Sequence, residues 1–148
     1  MLRYLAYGPK HFPSSPVEPM TRFNWEFYAN LKGALGPTLS ASEKLPVETT
    51  PTLWLFAPEV VHGWEAKARV ERIVFHFSSV PDVIREACGT AGHIHAKLEP
   101  HDVELLRQIG EELLQHYRSP TPASLLMFER HFIFIEHVLE DRLRSSVT

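Results

Sequence analysis

The chain has 148 residues, a formal net charge of -3 and a pI of about 6.3; it is 44% hydrophobic and 11% aromatic, with one cysteine. That length supports one domain with a sizeable core, and that apolar content excludes a disordered chain. The acidic balance argues against nucleic-acid binding by these residues alone, and Cys88 by itself permits no intrachain disulfide.

Residues 1–21 read as an arm. Tyr4, Leu5 and Tyr7 suit a short strand, after which Pro9, Pro13, Pro16 and Pro19 oppose regular structure. Two readings stay open: a segment lying across the body, or a disordered leader. Residues 1–8 lack the apolar centre of a secretory signal, and no apolar run nears the ~20 residues that span a bilayer. The expectation is a cytoplasmic chain with no membrane partner, in which Cys88 is a small core residue rather than a catalytic thiol.

Residues 22–31 alternate. Phe23, Trp25, Phe27, Ala29 and Leu31 share one face, and Asn24, Glu26, Tyr28 and Asn30 the other, which predicts a strand. The polar face either meets solvent or lines a partly wet cavity. Lys32-Gly33 reads as a turn, residues 34–40 as the hairpin partner of that strand, and residues 45–48 as a short edge strand. Leu53-Trp54-Leu55-Phe56 is a continuous apolar run, the signature of a strand buried on both faces. It ends before Pro58, which has no N–H for a sheet ladder. His62 and Trp64 follow, two residues apart, so an extended chain points both to one side. Residues 70–78 alternate again: Ile73, Phe75 and Phe77 against Val70, Arg72, Val74 and His76. At least five short strands with no intervening helix argue for an antiparallel barrel or sandwich.

Residues 81–87 read as a short helix stopped near Gly89, and residues 93–98 as extended. A helix is expected from Pro100 to about Tyr117, with Val103, Leu106, Ile109, Gly110, Leu113 and Tyr117 as its apolar stripe. Thr121-Pro122 opens a last helix reaching about Arg144. Leu125, Phe128, Phe132, Ile135 and Leu139 recur at spacings of three and four. A second row, Met127, Phe134 and Val138 with Leu126 and Ile133, lies on a different face. Two apolar rows fit an isologous dimer through this helix; the alternative is burial between the sheet and the preceding helix.

The stretch Thr50-Pro51-Thr52-Leu53-Trp54-Leu55-Phe56-Ala57-Pro58-Glu59-Val60-Val61-His62-Gly63-Trp64 lies between strands at 22–33 and 72–78. A proline-rich arm precedes these segments and a helical pair follows them. Together they resemble the sensory domain of AraC/XylS-type transcription regulators. In that family the stretch is a Gly-Asp turn, an apolar strand, a Pro-Pro-Gly-like turn and a histidine followed by an aromatic; Thr50-Pro51-Thr52 departs from the Gly-Asp turn. The resemblance implies an α+β, mainly β fold: a cupin-like jelly-roll β-barrel (22–80) after the arm, and a C-terminal antiparallel helical hairpin (81–148), all in one domain. It implies a small-molecule effector, often a sugar, inside the barrel, with His62, Trp64 and Arg72 lining the pocket and Val74 and His76 on the same face. It implies a homodimer through the helical pair. Family members also carry a helix-turn-helix DNA-binding region, which these residues do not contain, so DNA would be met only through a domain outside them. The chain then reads as a fragment of a regulator or as a stand-alone sensor.

A metal site is poorly supported. Metal-dependent cupins use a His-X-His pair, a carboxylate and a later histidine; residues 34–52 hold no histidine, leaving His62 alone and His93 with His95 after the barrel strands. No cofactor is expected. Glu26 beside His62 would suit acid–base work in a small cupin enzyme, an isomerase, epimerase or oxygenase-like protein. For a binder, Trp25 or Trp64 offers a stacking face, Arg72 a fork for a carboxylate or hydroxyl pair, and His62, His76 and Tyr28 directional hydrogen bonds. A structural dimer module, its barrel filled by Trp and Phe, is the remaining reading.

Overall fold

The computed structural model describes residues 2–39 and 44–147, apart from the side chains of Leu2, Phe132, Phe134, Leu139 and residues 142–147. Among the described residues, eight strands form two antiparallel sheets. In chain order the strands are β1 Leu2–His11, β2 Val17–Met20, β3 Trp25–Lys32, β4 Gly36–Thr38, β5 Thr52–Phe56, β6 His62–Glu65, β7 Arg69–Phe77 and β8 His93–Lys97. The larger sheet has the order β1-β7-β3-β5-β8 and the smaller β2-β6-β4. Three α-helices, α1 Asp82–Cys88, α2 Pro100–His116 and α3 Pro122–Val147, complete the fold.

The alternation in β3 and β7 sorts their side chains between two cores. Phe27, Ala29, Ile73, Phe75 and Phe77 join Val103, Leu106, Ile109 and Leu113 of α2 and Phe128, Ile135 and Val138 of α3 in a core between the large sheet and the helices. Tyr28, Val70 and Val74, with Trp54 and Phe56 of β5, join Phe12, Leu35 and Trp64 in a second core facing the small sheet. β5 is buried on both faces because β3 and β8 flank it in the sheet, helices pack on one side and β6 on the other. Apolar burial on this scale, at about 25 cal/mol per Å2, is the main driving force for the sandwich.

Several sequence expectations are corrected. The sheets do not close into a jelly-roll barrel: among the described strands, β2 and β4 flank β6 at its two sides and neither joins the large sheet. The arm is part of the sheets. β1 runs past Tyr7 and through Pro9 to His11, on the outer edge of the large sheet, where a missing N–H costs little. β2 runs through Pro19 and lies on β6. β4 pairs with β6 rather than forming a hairpin with β3. Residues 45–48 form no strand; Glu48 makes only an isolated bridge to Leu35. β8 belongs to the large sheet, beside β5, so the sheet extends beyond the 22–80 span.

The two long helices start where polar side chains cap their first turns, whereas α1 starts after Pro81 with no side-chain cap. Glu99 and Asp102 form a capping box on α2, with the Glu99 N–H donating to Asp102 Oδ2 at 2.8 Å. Thr121 and Ser124 do the same for α3. Gly110 lets α2 seat on β1, since a Cβ there would stand 2.5 Å from the Tyr7 ring. On α3 the stripe carrying Phe128 and Ile135 faces the protein's own core, so these two residues are not available to a second copy. Leu125 of that stripe is half exposed, and the side chains of Phe132 and Leu139 lie outside the described residues. Leu126 and Ile133 point to solvent, 74% and 65% exposed.

Candidate functional site

The two sheets meet over Glu26. β3 places this residue opposite His76 of β7, and its side chain points to the small sheet. β6 crosses above with His62 and Trp64 on one side, as their two-residue spacing requires. Glu26 Oε1 accepts from Trp64 Nε1–H at 2.8 Å and lies 2.9 Å from His62 Nε2. Its Oε2 lies 2.6 Å from His76 Nε2 and 3.1 Å from Arg22 Nε. Burial alone would raise the Glu26 pKa, but hydrogen bonds from His62 and His76 and the charge of Arg22 outweigh it and hold the carboxyl far below the usual range.

Local backbone geometry serves this cluster. The turn after β5 passes through Glu59, whose positive φ of 66° is unusual for a residue with a side chain. There the Glu59 N–H donates to the Arg22 carbonyl at 2.8 Å, tying the turn to the segment that leads into β3. Arg22 reaches back with Nη1 to the His62 carbonyl at 2.7 Å. His62 is clamped at both ring nitrogens, with Nδ1 2.8 Å from the Val60 carbonyl, and stacks on Phe56 with centroids 3.9 Å apart. Gly63, between His62 and Trp64, lies directly under β2; a Cβ there would collide with the backbone of Val17 and Glu18.

Beside the cluster is a cleft of about 210 Å3 lined by Tyr4, Lys10, Arg22, Glu26, Tyr28, Trp64, Arg72, Val74 and His76, among others. Of the residues singled out from the sequence it gathers Glu26, Tyr28, Trp64, Arg72, Val74 and His76. His62 is instead fully buried beneath it. Trp64 stacks on Tyr28 at 4.1 Å, which leaves it a wall more than a free platform. Burial raises the Tyr28 hydroxyl pKa, with the Arg72 charge tempering the rise, so the phenol stays a neutral donor and acceptor. Trp25 lies on the opposite face, in the helix-side core.

The cleft residues missed by sequence reasoning are Tyr4, Lys10 and Arg22. Tyr4, Ala6, Gly8 and Lys10 stand opposite His76, Val74, Arg72 and Val70, on the cleft face of β1. Their parity was the available signal; the prolines hid it.

The structure does bring Glu26 and His62 together, yet the carboxylate already has four donors around it. Such a group lacks the spare lone pair and the near-neutral pKa of a general base. His93 and His95 pair with Phe56 and Trp54 across β8 and β5, and the His93 ring packs on Phe56 at 5.2 Å. Burial lowers the His93 pKa, with His95 and His62 as neighbouring charges adding to it. Among the described residues no three His, Cys, Asp or Glu side chains are arranged to hold a metal ion. Nor is any described helix long and apolar enough to cross a membrane.

No family model and no curated protein matches the chain. Among solved structures it is similar to ToxT from Vibrio cholerae, with a TM-score of 0.52 and 7% identity, covering 94% of this chain and 57% of ToxT. ToxT is an AraC-family regulator. At that identity the likeness is one of fold alone. The chain spans little more than half the length of ToxT.

Proposed function

We propose that this chain is the effector-sensing and dimerisation domain of an AraC-type transcription regulator, and not an enzyme. The observation that carries the reading is the cleft between the sheets, where Arg72, His76, Tyr28, Lys10 and Trp64 converge in a regulator-like fold. Its volume is below the ~300–1,000 Å3 of drug-sized sites, so the effector is a small polar molecule of sugar size or less. The saturated Glu26 network speaks for a rigid floor rather than an acid–base pair. A second copy would dock on the exposed α3 side chains Leu125, Leu126 and Ile133, because Phe128, Ile135 and Val138 are spent on the protein's own core. Effector binding would bias the arm strands, which form one wall of the cleft, and so the way two copies present a DNA reader lying outside these residues. The protein would act in the cytoplasm.

Titration of sugars and other small polar compounds, followed by tryptophan fluorescence, tests the reading, since Trp64 borders the cleft. Saturable quenching that disappears in His76→Ala supports it. No response from any compound class sinks the sensor and leaves a structural module.

A further inference from the structure

The protein as a whole is acidic, but its cleft is not. Lys10, Arg22 and Arg72 line it against one carboxylate, Glu26. Arg22 is committed to that carboxylate and to the carbonyls of His62 and Met20. The other two cations have only neutral partners. Arg72 Nη1 donates to the Gly8 carbonyl at 3.0 Å, and its buried Nε meets no acceptor. Lys10 Nζ donates to Ser15 Oγ at 2.9 Å and lies over the Phe12 ring at 5.4 Å. Among the described residues neither forms an ion pair.

The sheet register sets their spacing. Gly8 stands opposite Arg72 and Lys10 opposite Val70, so Lys10 and Arg72 are diagonal neighbours on one face of β1 and β7. Diagonal positions lie about 7–8 Å apart at the backbone. Two cations at that separation repel, and burial with the Arg72 charge lowers the Lys10 pKa. Half-buried like charges with no counter-charge are costly, and a bound anion relieves both the repulsion and the unmet Nε–H. Tyr28 adds a neutral hydroxyl beside them.

We propose that the cleft takes a small organic acid, with its carboxylate between Arg72 and Lys10 and its body along Tyr4, Val74 and Trp64. This rests on the reading of the cleft as the effector site. It narrows the ligand from any polar molecule to an anion, and a neutral sugar becomes the poorer fit.

The test uses matched pairs against the whole chain: benzoate with benzamide, hexanoate with hexanamide, and glucuronate with glucose, each by calorimetry and tryptophan fluorescence. The expected result is that at least one acid binds at least about tenfold more tightly than its neutral partner, more weakly at high salt. Arg72→Met and Lys10→Met should each weaken that acid about tenfold or more, and by a larger factor than they weaken its neutral partner. Lys10→Met serves alone where Arg72→Met loosens β1 through the lost Gly8 bond. If the neutral partners bind as well as the acids, or Lys10→Met leaves the preference intact, the anion site is wrong and the effector cleft stands. If no member of any pair binds, both fall.

Discussion

The two faces of the large sheet are built from the same strands and do opposite things. On β3 and β7 the residues Phe27, Ala29, Ile73 and Phe75 turn to the helices, while Glu26, Tyr28, Arg72 and His76 turn to the small sheet. The helix face is a dry, contiguous core that holds its shape by close packing. The cleft face is held by a carboxylate whose partners come from Arg22, β6 and β7. A packed core loses stability in step with the volume removed and relaxes only partly around it. A buried charge network fails as a unit, because each lost partner strands the others. The division gives the protein a rigid back and a chemically specific front.

Substitution should break this contrast in graded steps. Glu26→Ala is expected to have the largest effect, about 3–5 kcal/mol, because it leaves the Arg22, His62, His76 and Trp64 donors facing an empty site. Urea unfolding monitored by circular dichroism measures it. The same carboxyl predicts a pH dependence. Its folded pKa lies below the ordinary value of 4.5, so its contribution is full above that pH and is lost as the pH falls below it. Wild-type stability should therefore drop on acidification below about pH 4.5, and Glu26→Gln should flatten that part of the curve. On the other face Ile135→Ala should cost about 2–4 kcal/mol by opening a cavity, with no comparable acid-side change.

Gly63→Ala comes next, at about 1–3 kcal/mol, because the added methyl strikes the β2 backbone. Proteolysis within residues 12–20 should accelerate in that variant while the helices stay protected; equal protection of β2 would show that the strap is not seated on Gly63. The smallest effect on stability belongs to Leu126→Glu with Ile133→Glu, within about 0.5 kcal/mol per site, since both side chains already face water. Sedimentation should nevertheless read a monomer for that double variant and a dimer for the parent. A dimer that survives would move the interface off α3.

Much of the fold was legible. Alternation in residues 22–31 and 70–78 marked β3 and β7 and sorted the faces within those strands, but Phe23, grouped with Trp25 and Phe27, lies before β3 and is 93% exposed. The unbroken run Leu53-Trp54-Leu55-Phe56 marked a strand buried on both sides. Pro100 and Thr121-Pro122 marked the starts of α2 and α3. The arm stayed open between a segment lying across the body and a disordered leader, because four prolines in residues 9–19 mask strands that survive at sheet edges. Residues 34–40 were misassigned because a turn glycine after β3 is equally compatible with a hairpin or with a crossing to the other sheet.

The sequence by itself therefore determined which residues share a face, because the period-two and 3.6-residue patterns are properties of the local backbone. Only tertiary structure decided what each face meets. β6 crossing over β3 turns an exposed-looking Glu26 into a buried anion, and β1 pairing with β7 adds Lys10 beside Arg72. Packing against the sheet likewise drew Phe128, Ile135 and Val138 inward from both apolar rows of α3 and left Leu125, Leu126 and Ile133 outside, a choice that the helical period cannot make. These are long-range pairings, specified by the balance of burial over the whole chain rather than by any local preference.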